Sequence, residues 1–89
     1  DYLLGVIYLG RDRKKAEWHL RAAAARDQEN AGRAHFWLGQ LYLSQERYPE
    51  AHEELVRAAS VRVNSREYAE KARKTADALA LSMHLKGGP

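Results

Sequence analysis

Four histidines, His19, His35, His52 and His84, are the side chains of this chain best suited to hold a metal ion or move a proton near neutral pH. A metal site on one helix needs a second donor three or four residues along, so that both ligands share a face. None of the four histidines has another histidine at that spacing. Glu50, Glu53 and Glu54 crowd His52, but their pattern reads as a solvated helix face and not as a metal cage. The chain has no cysteine, which excludes both a thiolate metal site and a disulfide scaffold. Ser44, Ser60, Ser65 and Ser82 are not accompanied by His and Asp in a recognisable nucleophile order. No glycine-rich phosphate loop follows a strand-like run. The residue types therefore predict no catalysis, no cofactor and no metal.

The cations are the next candidates. Arg11, Arg13, Lys14 and Lys15 crowd one segment, and Arg62, Arg66, Lys71, Arg73 and Lys74 gather in another. Net charge is only +3, and Asp12, Glu67, Glu70 and Asp77 interleave with them. Aromatic residues are not interspersed with these cations, as single-strand binding would require. A solvated face is the expectation, an acidic protein surface ranks next, and nucleic acid is not expected. No stretch approaches the roughly 20 apolar residues of a membrane-spanning helix, so no membrane insertion is expected.

The elements that must position these residues read as helices. With 89 residues, 45% apolar and 30% charged, the chain suits one small globular domain. Residues 1–9 are apolar on every side, which predicts a helix needing cover on more than one flank. A helix from an upstream part of a longer parent protein, or from a second copy, would supply that cover. Asp12 is the expected N-cap of a second helix running to about Arg26, with Ala16, Leu20, Ala23 and Ala24 inward. Asn30 is a candidate cap for a third helix over about 32–45. Pro49 suits the first turn of a fourth, which continues to about Val63. Asn64-Ser65-Arg66-Glu67 reads as a capping signal for a fifth helix to about Leu85, with Ala69, Ala72, Ala76, Leu79 and Met83 inward.

Two of these elements echo two others. Leu4-Gly5-x-x-Tyr8 recurs 34 residues later as Leu38-Gly39-x-x-Tyr42, and Ala16-x-x-x-Leu20-x-x-Ala23 recurs as Ala51-x-x-x-Leu55-x-x-Ala58. Glycine inside a helix costs about 1 kcal/mol relative to alanine. A repeated glycine therefore predicts a close crossing, with Leu20 and Leu55 filling the space between helices. These residues resemble the tetratricopeptide repeat, over roughly residues 1–63. The first copy has one residue fewer between its helices, and neither copy carries the proline that usually closes the second helix. The resemblance implies an all-α fold, a right-handed superhelix of antiparallel helical hairpins with five helices. Its expected divisions are 1–29 as a first repeat, 30–63 as a second, 64–85 as a closing helix and 86–89 as a tail. The whole is expected to be a fragment of a larger protein.

The resemblance also implies a function, the holding of a partner peptide or protein in a concave groove. By position, the groove residues would be Tyr2, Val6 and Leu9 from the first helix, and Arg33, Phe36, Gln40, Leu43 and Ser44 from the third. Glu67, Glu70 and Lys74 would come from the closing helix. One subset of the family grips the terminal carboxylate of chaperone tails with Lys and Asn. This chain has Tyr2, Val6, Phe36 and Gln40 at those positions, so that mode is not expected. Phe36 and Trp37 are adjacent and cannot both face one way; either one packs between repeats and the other is an exposed candidate anchor, or both pack around the hairpin. The expected anchors of a partner segment are Tyr2, Phe36 and Leu43, with Arg33 beside them. Trp18, matched by Glu53 in the second copy, is expected on the outer face. Two other readings stand beside groove binding. One is homo-oligomerisation through the first helix, and the other is docking onto another domain of a multidomain enzyme or regulator.

Overall fold

The computed structural model describes residues 2–60 and 66–87, with side chains as far as residue 83. The described residues form five α-helices and no strand: α1 (Tyr2–Tyr8), α2 (Arg13–Arg26), α3 (Ala31–Ser44), α4 (Tyr48–Ser60) and α5 (Arg66–Gly87). Each helix packs on the next in chain order, and α3 also touches α5. The capping signal at Asn64 and Ser65, the side chain of His84 and the end of the tail lie outside the described residues.

The helix ends follow local chemistry. Asp12 is the N-cap of α2, extended at φ −145°, with its carboxylate accepting from the Lys15 N–H at 3.1 Å. Asn30 occupies the same place before α3 but makes no side-chain cap bond. Its backbone N–H and side-chain amide instead donate to the Asp27 carboxylate at 3.3 and 2.8 Å. Those bonds, the side-chain one first, hold the Asp27 carboxyl below its ordinary pKa. Between α3 and α4 the chain turns at Glu46, which takes a left-handed φ of 57° at a cost of about 1–2 kcal/mol. The turn closes as the Arg47 N–H donates to the Tyr42 carbonyl at 2.9 Å. Pro49 lies in the first turn of α4, where its missing N–H has no partner to lose.

Both repeated glycines sit at close crossings. A Cβ on Gly5 would lie 2.7 Å from Leu20 Cγ, and one on Gly39 would lie 2.6 Å from Leu55 Cγ. The two hairpins, α1–α2 and α3–α4, thus share one device: helix backbone laid against a buried leucine. Leu20, Leu38, Tyr42 and Leu55 are sealed from solvent, with Ala16, Ala23, Ala51 and Ala58 filling the narrow spaces around them. From α5, Ala72, Ala76 and Leu79 are buried against this core. The inward stripe of α5 starts at Tyr68, one residue earlier than the expected Ala69, because the Tyr68 ring reaches Phe36.

The apolar girdle of α1 is covered on one side only. Gly5 is buried, whereas Leu3, Leu4 and Ile7 are 70%, 40% and 57% exposed. Their counterparts one period later behave differently: Leu38 and Leu41 are buried, and Trp37 is half-buried. The difference follows from the helix order, since α2 packs on α3.

Candidate functional site

The side chains singled out in α1 and α3 form a row on one face. At one end, the Trp37 indole N–H donates to the Tyr2 hydroxyl at 3.2 Å. At the other, Leu9, Gln40 and Ser44 line a shallow depression of about 240 Å³ together with Arg13, Trp37 and Leu41. Val6 lies between Tyr2 and Leu9 along α1, half-buried against the core, and Leu43 is half-buried as well. Helix geometry explains the row, because residues three and four apart share a face.

Phe36 departs from the expected arrangement. It is only 8% exposed and belongs to the core, so it offers little surface to a ligand. Its ring is held edge-on by Trp37 at 5.3 Å and by Tyr68 at 5.2 Å. Such pairs contribute about 0.5–1.5 kcal/mol each beyond area burial. Trp37 is the neighbour left half-open, and its ring also meets Tyr68 at 6.5 Å. The anchor-like aromatics of this face are therefore Trp37 and Tyr2, with Tyr68 beside them. Tyr68 escaped the sequence reading although it precedes the buried Ala72 by one helical turn and continues the stripe through Ala76 and Leu79.

Arg33 stands at the same end of the row. Its guanidinium carbon lies 5.6 Å from the centre of the Tyr68 ring, and Nη1 donates to the Asn30 side chain at 3.3 Å. Its Nε is buried without a hydrogen-bond partner. The Tyr2 phenol is pushed above its ordinary pKa, chiefly by burial, with Trp37, Tyr68 and Arg33 all near enough to act on it. On α5, Glu67, Glu70 and Lys74 are exposed; Glu67 pairs with Lys71 at 3.3 Å and Glu70 with Arg66 at 4.0 Å.

A second polar seam joins α2, α3 and α4. The buried Tyr42 hydroxyl donates to Glu17 at 3.0 Å and accepts from Arg21 Nε at 3.1 Å, while Arg47 lies 4.3 Å over the Tyr42 ring. His35 and Glu54 meet at 2.8 Å, and Arg57 donates to the same carboxylate at 2.8 Å. Burial pulls the Glu54 carboxyl upward; the His35 bond and the charges of His35 and Arg57 outweigh it, leaving the group below its ordinary value. Spacing within a single helix could not reveal this pair, since its members are 19 residues apart.

A depression of about 610 Å³ lies elsewhere, at the α2–α3 turn, lined by Ala22, Ala23, Arg26, Asp27, Gln28 and Glu29. It is an open recess beside the helix end and gathers none of the expected groove residues. Among the described residues, no three His, Asp or Glu side chains come close enough to hold a metal ion. No described helix is long and apolar enough to cross a membrane. Comparison with protein-family models, curated proteins and solved structures finds no match for this chain.

Proposed function

We propose that this chain is a non-catalytic protein-recognition module of the tetratricopeptide type, its helices forming a right-handed superhelix that holds a partner segment along the α1–α3 face. The observation that carries this reading is the continuous row from Tyr2 and Trp37 to the depression at Leu9, Gln40 and Ser44. Half-buried aromatics beside an apolar trough suit an extended or helical segment, because aromatic anchors dominate interface energies. The matched crossings at Gly5 and Gly39 support the repeat assignment. Selection of displayed peptides on the purified protein tests the reading. Peptides recovered should lose binding to Gln40→Arg and Ser44→Arg variants, which fill the depression, and keep it for Trp18→Ser on the exposed outer face. Peptides that depend on Trp18 and ignore Gln40 and Ser44 would overturn it.

A second reading is self-association through α1, favoured by the exposure of Leu3, Leu4 and Ile7. Most outward residues of α5, among them Glu67, Lys71, Arg73, Lys74 and Asp77, are charged, with Leu81 the exposed exception. A head-to-tail contact would therefore desolvate charge, and an isologous α1–α1 contact is the favoured form. Light scattering over a concentration series checks it. Wild type should gain mass as concentration rises and a Leu3→Glu/Ile7→Glu variant should remain monomeric; a wild-type monomer throughout would end this reading.

A further inference from the structure

Two arginines of the described residues, Arg33 and Arg47, are half-buried, and they are treated differently. Arg47 is neutralised by Glu50 at 3.0 Å and Glu17 at 3.5 Å. Arg33 has no carboxylate within 4.0 Å among the described residues, and its Nε is sealed without a partner. A half-buried guanidinium normally finds a carboxylate, because desolvating an unpaired charge is costly and the planar fork suits two carboxylate oxygens. The aromatic face of Tyr68 and the Asn30 amide oxygen satisfy Arg33 only in part. Close by, the Tyr2 hydroxyl accepts from Trp37 and is also hydrogen-bonded to Tyr68.

Resting on the groove reading above, we propose that Arg33 receives a carboxylate from the bound segment: a glutamate or aspartate side chain flanked by apolar residues, which lie against Trp37 and Leu9. The guanidinium supplies charge and geometry. The occupant is an acidic-apolar stretch of a protein partner. Charge complementarity selects it, since among the described residues the row offers a cation with no counter-ion.

Tryptophan fluorescence of the full chain carrying Trp18→Phe tests this, because Trp37 is then the sole indole and sits beside Arg33 on α3. The probes are acetyl-Leu-Glu-Leu-amide, its glutamine counterpart, and the glutamine peptide with a free terminal carboxylate. The glutamate peptide should bind about tenfold more tightly than the glutamine amide, the preference weakening as salt rises. Arg33→Gln should bring the glutamate peptide down to the level of the glutamine one, and Arg33→Lys, keeping charge without the fork, should fall between. Equal binding of the glutamate and glutamine amides would overturn the carboxylate assignment while leaving the groove standing. Preference for the free terminus alone would overturn the side-chain assignment. A Trp37 signal indifferent to every peptide would remove both the carboxylate and the groove. Circular dichroism of the Arg33 variants separates lost binding from lost fold, and the glutamate–glutamine comparison needs no Arg33 variant at all.

Discussion

Replacing Gly39 with alanine should destabilise this protein, although alanine is the better helix former. The substitution gains about 1 kcal/mol of helix propensity. Against that, the new methyl would meet Leu55 Cγ at 2.6 Å and Cδ2 at 2.8 Å, with the Ala51 carbonyl oxygen at 3.4 Å. Leu55 has nowhere to go: it is fully buried, and the contact involves its branch carbon as well as a terminal methyl. Overpacking of a closed core costs about 1–3 kcal/mol, and the closeness of this contact places Gly39 at the upper end. A net loss of about 2 kcal/mol then lowers the melting midpoint by about 10 °C for a domain of this size.

Thermal melting by circular dichroism reads the shift, and a second substitution gives the cause. Leu55→Ala alone opens a cavity costing about 2–5 kcal/mol. Combined with Gly39→Ala it should cost less than the sum of the two, since the added methyl then occupies part of the vacated space. A Gly39→Ala variant that melts at or above wild type would refute the crossing. Strict additivity in the double variant would show that the two residues do not meet. Gly39→Leu, with far more to accommodate, should fail to form the α3–α4 hairpin.

Two further outcomes follow from the polar seam. Tyr42→Phe leaves Arg21 and Glu17 without their shared hydroxyl, and should cost about 1–3 kcal/mol by urea unfolding; an unchanged midpoint would mean that the hydroxyl is replaceable by water. The Glu54 carboxyl, held below its ordinary value of 4.5, contributes stability that is present above that value and is lost as pH falls through its lower folded value. Urea midpoints measured from about pH 6 to about pH 3 should therefore drop for wild type, and drop less for Glu54→Gln. Parallel curves would place the acid sensitivity elsewhere.

What was legible in advance was whatever repeats along a single helix. The Gly5 and Gly39 crossings, the alanine stripes and the Asp12 cap each depend on neighbours within a turn or on a spacing copied 34 residues later. What was not legible depends on which helix arrives opposite. Phe36 and Trp37 differ by about 100° around α3, and the helices opposite them bury Phe36 in the core while leaving Trp37 half-open, with Tyr68 on α5 touching both rings. Asn30 looked like a cap, but Asp27 binds its amide first. The His35–Glu54 pair joins helices whose relative rotation no one-helix spacing encodes.

The same distinction bears on how the candidate face is built. Its apolar floor is a by-product of the glycine crossings, which pin α1 to α2 and α3 to α4 and leave Val6, Leu9 and Trp37 turned to one side. Its polar features sit at the edge of that floor, Tyr2 packed against the core and Arg33 over the Tyr68 ring. Tyr2 spends burial on a hydroxyl whose pKa rises for it, and Arg33 keeps a sealed Nε without a partner. On the groove reading proposed above, the polar chemistry of recognition would lie at the Tyr2–Arg33 end of the row, while the depression between Leu9 and Ser44 would contribute shape and apolar contact.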